Sequence, residues 1–175
     1  TFEAEFQALQ GAAPRIALLP LSHRRARLKA LRAELIKRRP ELHAALRADL
    51  NRPEVDCDLN ELLPVKVSID HVLSNLRTWT QTERLPLPLT LIPGRAEVIQ
   101  EPKGVALIVS PWNFPVNLCL VPLVYAIAAG NTVCLKPSEL APASAAFIAS
   151  LMAAVFPPEE VCVVQGDANV AIALL

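Results

Sequence analysis

The sequence predicts an α/β fold in which a doubly wound parallel sheet follows a helical N-terminal region, and three observations carry that reading. From Val105 onward, short β-branched runs at 105–109, 132–135 and 161–164 alternate with longer apolar stretches at 114–129 and 142–155. Strands joined by helical crossovers form βα units whose right-handed connections build a parallel sheet. Residues 22–50 place Leu28, Leu31, Leu35, Leu42 and Leu46 close to helical spacing, with arginine and lysine between them. Between these halves, the prolines from Gln81 to Gly94 exclude an internal helix.

In chain order, Ser22 is a suitable cap for a first helix, and Pro40 is expected to divide 22–50 into two helices or to kink it. A further helix is expected from about Cys57 to Trp79, with Leu59, Leu62, Leu63, Ile69, Val72, Leu73 and Leu76 as its apolar stripe. The basic run Arg24–Arg39 reads as the solvated face of an amphipathic helix, since no aromatic residues interleave it as nucleic-acid binding would favour. Residues 81–94 read as an extended crossover and 96–100 as a short strand. The strand 105–109, apolar on both faces, suits the centre of a parallel sheet. A helix over 114–129 closes at Gly130, placed for a left-handed cap. Pro142 lies in the first turn of the next helix, Pro157–Pro158 ends it, and Gly166–Asp167 opens a last one. The resulting organisation is a helical region over 1–80, a crossover with a strand over 81–100, and the sheet over 101–175.

Composition bounds the function. With 53% apolar and 19% charged residues, the 175-residue chain is that of a folded globular protein. Seventeen basic residues balance seventeen acidic ones, so nothing in the bulk charge attracts nucleic acid or an anionic membrane. The longest apolar run, 116–129, is interrupted by Asn117 and Pro122 and falls short of the roughly 20 residues a membrane span requires. The cysteines at 57, 119, 134 and 162 show neither zinc-type nor disulfide-type spacing, and His23, His43 and His71 lack ligand spacing. No metal site is expected. No signal peptide opens the chain, and a reducing cytoplasm is the expected compartment.

The groups that could carry chemistry sit just past two strands, where open α/β sheets bind ligands. Asn113 reads either as a helix cap or as a neutral donor to a developing oxyanion. Lys136 and Glu139 read either as ordinary surface residues or as a polar pair facing a ligand. Trp112 reads equally as packing, and Gly166 as a turn residue. None of the cysteines has an activating neighbour in sequence. No GxGxxG follows any strand, so the common dinucleotide fingerprint is missing.

Two segments, PWNFP at 111–115 and AAGNTVCLKPSE at 128–139, together resemble the aldehyde dehydrogenase superfamily, and EPKGV at 101–105 arrives in the order of its class 3 branch. The resemblance implies an incomplete Rossmann-like NAD-binding domain. It also implies oxidation of an aldehyde to a carboxylic acid through a cysteine thiohemiacetal. Asn113 is then the oxyanion donor, and Ser110, Pro111 and Trp112 line the nicotinamide side of the cofactor cleft. Lys136 hydrogen-bonds the adenosine ribose with Glu139 beside it, and Gly166 lets the adenine approach. A carboxylate at 139 welcomes a ribose 2′-hydroxyl and repels a 2′-phosphate, which favours NAD while leaving NADP possible. The strand at 96–100 would join an antiparallel oligomerisation sheet, giving a homodimer or homotetramer. The family's glycine-rich loop, general-base glutamate and nucleophilic cysteine are expected beyond Leu175, so the segment alone is expected to be inactive. The alternatives are a truncated, non-catalytic oligomerising relative, or a branch of the superfamily that reduces acyl groups.

Overall fold

The computed structural model describes residues 2–175. Helix α1 (Phe2–Ala17) is followed by α2 (Leu21–Lys37) and α3 (Arg39–Leu50). The break between α2 and α3 is at Arg38, and Pro40 falls in the first turn of α3, where its missing N–H leaves no bond unmade. Ser22 is not a cap: α2 starts at Leu21 behind Pro20, and no side chain caps it. Leu28, Leu31 and Leu35 are buried as their spacing requires.

Helix α4 (Glu54–Cys57) runs through a π-helical turn, Asp58–Leu62, into α5 (Leu63–Trp79). The cause is Pro64, which has no N–H to give the carbonyl of Asn60 and whose ring crowds it. That carbonyl instead accepts from Asn117 Nδ2 at 2.9 Å. The widened turn keeps Cys57, Glu61 and Val65, each four residues apart, on the buried face. Leu59 and Leu63, assigned to the apolar stripe by sequence, are exposed.

Part of the crossover proves to be a strand. β1 (Glu83–Leu85) pairs antiparallel with β2 (Ala96–Val98) around a short 3₁₀ turn at Leu89–Leu91. Next come β3 (Val105–Val109), α6 (Asn117–Ala129), β4 (Thr132–Lys136), α7 (Pro142–Val155), β5 (Val161–Val163) and α8 (Ala168–Ala173). The three later strands form a parallel sheet in the order β3-β4-β5. β4, rather than β3, therefore lies between two neighbours, and all five of its residues are buried while Val109 of β3 is exposed. Gly130 closes α6 at φ 92°, and a Cβ there would meet the Arg24 guanidinium at 2.5 Å.

One continuous core joins α2, α3 and α5 to α6, α7 and the inner face of the sheet. On the opposite face, Leu9 of α1 packs over Cys134, Cys162 and Val164, so the sheet is covered on both sides. The basic run is only in part a solvated face: Lys29, Lys37 and Arg39 are exposed, while other members turn inward. Arg24 is buried and donates to the carbonyls of Ala128 and Ala17. Arg27 binds both oxygens of Glu160, and Arg25 donates to the Leu73 carbonyl. Arg24 and Arg27 fasten the helical region to the sheet layer, and Arg25 ties α2 to α5. Among the described residues, no helix is long and apolar enough to cross a membrane.

Candidate active site at the carboxyl ends of β3 and β4

Parallel pairing puts Val109 opposite Lys136, and Ser110 N–H then donates to the Lys136 carbonyl at 3.1 Å. The turn from Pro111 to Val116 consequently leaves the sheet at the edge that carries Lys136. Pro111 and Asn113 are exposed, and Trp112 is 50% exposed, more than a residue devoted to packing would be. The Asn113 carboxamide makes no hydrogen bond within the described residues, and α6 begins only at Asn117. Asn113 is therefore not a helix cap.

The cap comes from another element. Val116, at the N-terminus of α6, has no side chain able to accept a hydrogen bond. Glu61 Oε2 accepts from Val116 N–H at 3.1 Å and Asn117 N–H at 2.7 Å. Its other oxygen binds Arg52 Nη1 at 3.0 Å. Arg52 continues outward to the turn: Nη2 donates to the backbone carbonyl of Asn113, and the guanidinium lies 4.5 Å from the centre of the Phe114 ring. Burial pushes the Glu61 carboxyl up to about 7, against the opposing pull of Asn117 N–H, Arg52 and Val116 N–H. Helix α7 is capped in the same way, by Asp49 on Ala143 N–H at 3.0 Å and Ser144 N–H at 2.7 Å. Both crossover helices thus spend their N-terminal amides on protein carboxylates. Neither is free to hold a phosphate, which fits the missing GxGxxG.

Lys136 is 2% exposed, and its Nζ lies 2.5 Å from Glu139 Oε2. The hydrogen bond from Lys136, together with a backbone N–H, holds Glu139 below the usual carboxylate range. Ser110 is buried, and its Oγ has no hydrogen-bond partner. It lies beside Cys119, whose thiol burial pushes up to about 12. Cys119 is therefore inert as a nucleophile, and the other three cysteines are also buried. Gly166 precedes the Asp167 cap of α8, and a Cβ there would strike Val170 Cγ2 at 2.5 Å, so local packing also favours glycine here. Among the described residues, no group of three or more His, Cys, Asp or Glu could hold a metal ion.

The site thus gathers Ser110, the 111–113 turn, Lys136 and Glu139 along one sheet edge, with Gly166 past the neighbouring strand. The family model described as Aldehyde dehydrogenase family matches residues 1–175. The chain belongs to the aldehyde dehydrogenase family. Aldehyde dehydrogenase family 3 member H1 of Arabidopsis thaliana is 43% identical over 136 residues, covering 78% of this chain and 28% of that protein. Aldehyde dehydrogenase family 3 member B1 of Mus musculus is 36% identical over 152 residues, covering 87% and 32%. A solved structure of Staphylococcus aureus AldH in a substrate-bound state superposes with a TM-score of 0.96 at 31% identity, over 99% of this chain and 38% of that one. The resemblance to the class 3 branch is matched by these family 3 relatives, and the Rossmann-like sheet by the structural neighbour. The chain spans about a third of the length of these family members.

Proposed function

We propose that the full-length aldehyde dehydrogenase family protein oxidises an aldehyde to a carboxylic acid, and that this segment supplies the oxyanion donor and part of the cofactor cleft. The observation that carries the reading is the uncommitted Asn113 carboxamide, held at the carboxyl edge of the sheet with its helix capped by Glu61 instead. As a cysteine thiolate from outside this segment adds to the aldehyde, Asn113 Nδ2–H donates to the carbonyl oxygen. A neutral carboxamide stabilises the growing charge without protonating it. NAD, or NADP, supplies the acceptor for the hydride.

The residues present fit such a cofactor. Lys136 Nζ uses one donor on Glu139 and keeps others for ribose hydroxyls. The Lys136–Glu139 pair covers the ammonium and must open to admit a ribose. Glu139 favours NAD over NADP for the charge reason given above. Ser110, Pro111 and Trp112 would face the nicotinamide, and Gly166 the adenine.

The same organisation is proposed for the chain: 1–80 helical, 81–100 crossover and oligomerisation strand, 101–175 the beginning of the cofactor-binding sheet, with the first and last parts sharing one core. Exposed Leu85, Leu89, Leu91, Ile92 and Ile99 in the crossover support a homodimer or homotetramer. Four buried, unpaired cysteines support a cytoplasmic setting.

The test is Asn113→Ala in the full-length protein, followed by reduced-cofactor absorbance. Turnover should fall about 100- to 1,000-fold, the usual cost of one oxyanion donor, with cofactor affinity nearly unchanged. An undiminished chemical step would remove Asn113 from the mechanism.

A further inference from the structure

We propose that Glu61 and Arg52 are positioning residues that fix the Asn113 turn, through a link that starts at the buried Glu61 of the π-helical turn and reaches the backbone on either side of Phe114. The inference rests on the reading of Asn113 as the oxyanion donor.

An oxyanion donor works only if its N–H is already aimed when charge develops, and a turn at a strand end has little of its own to hold it. Here the stretch from Asn113 to Asn117 is held at both ends by one fully buried carboxylate. Glu61 takes the amides of Val116 and Asn117 directly. It reaches the Asn113 carbonyl through Arg52, whose guanidinium also stacks over Phe114. Asp56 sits 3.5 Å from Arg52 Nε as a second ion-pair partner. Only a planar, multidentate cation serves both the carboxylate and the carbonyl, so lysine at 52 would keep the charge and lose the bridge. The π-helical turn is what places Glu61 at the centre of this link, because it keeps residue 61 on the buried face and leaves the Asn60 carbonyl to Asn117.

The experiment uses the full-length protein with Arg52→Lys and Glu61→Gln, each alone and combined with Asn113→Ala. Assays run at about pH 8, above the value of about 7 to which burial raises the Glu61 carboxyl. Both single variants should lower kcat about 10- to 100-fold, the cost of a donor displaced by about 1 Å, while the dissociation constant for NAD changes less than about twofold. Neither should lower kcat further in the Asn113→Ala background, because the group being positioned is already gone. Arg52→Lys keeps an ion pair for Glu61 and decides the matter even if Glu61→Gln does not fold. A wild-type kcat in Arg52→Lys beside a slow Asn113→Ala overturns the positioning role alone. So do losses that multiply in the double variants, or NAD affinity falling in step with kcat. An Asn113→Ala protein with normal turnover overturns the oxyanion reading itself, and the positioning role with it.

Discussion

Removing the Asp49 carboxylate should loosen the first turn of α7 and little else. A helix leaves its first amides without intrahelical partners, and each of these in α7 can be traced. Ala141 N–H bonds to the Ser138 carbonyl at 3.3 Å, Pro142 has none to satisfy, and Ala143 and Ser144 both go to Asp49. The local sequence offers no substitute, because the residue before the helix is Ala141. Asp49→Ala therefore exposes two donors at once, and loss of such a cap costs about 1–2 kcal/mol. That energy corresponds to hydrogen exchange roughly 5- to 30-fold faster at Ala143 and Ser144. Asp49→Asn should have about half the effect, since the carboxamide retains a single acceptor while the structure uses both oxygens. Peptide-resolved exchange on the full-length protein reads this directly, with the helix C-terminus near Leu151 and Met152 as the internal control. Exchange at Ala143 and Ser144 within about twofold of wild type in Asp49→Ala would refute the account of how α7 is capped.

Two other outcomes follow from charge. Glu139→Gln should shift the ratio of NADP to NAD affinity by roughly tenfold toward NADP at low salt, with the shift shrinking as salt is added, as titrations of both cofactors would read. An unmoved ratio would free Glu139 from any part in selecting between them. The Arg39 hydrogen bond, aided by His43, holds the Asp58 carboxyl down to about 2. A depressed carboxyl contributes stability that is complete above its unfolded value near 4 and is lost as pH falls through about 2. Asp58→Asn should flatten the denaturation midpoint against pH within that window; a slope there equal to wild type would discount the pair.

The parallel sheet and its crossovers were legible because their signals are local. Strand 132–135, the Gly130 closure, Pro142 at the head of α7 and Asp167 at the head of α8 each depend on residues within a few positions. The edge that carries Asn113 and Lys136 was legible too, since strand order and direction put the turns after β3 and β4 side by side. What stayed hidden is long-range. The caps of α6 and α7 lie 55 or more residues upstream, at Glu61 and Asp49, and no local pattern distinguishes those carboxylates from surface ones. Asn113 accordingly drew a cap reading that a distant residue had already made unnecessary. The arginines of α2 misled for the same reason: their composition is that of a wet face, and only the docking of the sheet turns Arg24 into a buried tie and Arg27 into a half-buried one.

That pattern bears on how the site is built. The helical region meets the sheet layer through carboxylates that end on helix N-termini and arginines that end on backbone carbonyls, groups that every sequence has. Such contacts leave the side chains of the carboxyl edge uncommitted. Asn113 keeps its whole carboxamide and Lys136 keeps donors, while the backbone after β3 is held by Glu61 and Arg52. On the proposed reading, the site takes the rigidity of its first turn from residues 52–61 and its chemistry from 113–139. Substitutions in the first group should therefore act on the rate through geometry, and substitutions in the second through the reacting groups themselves.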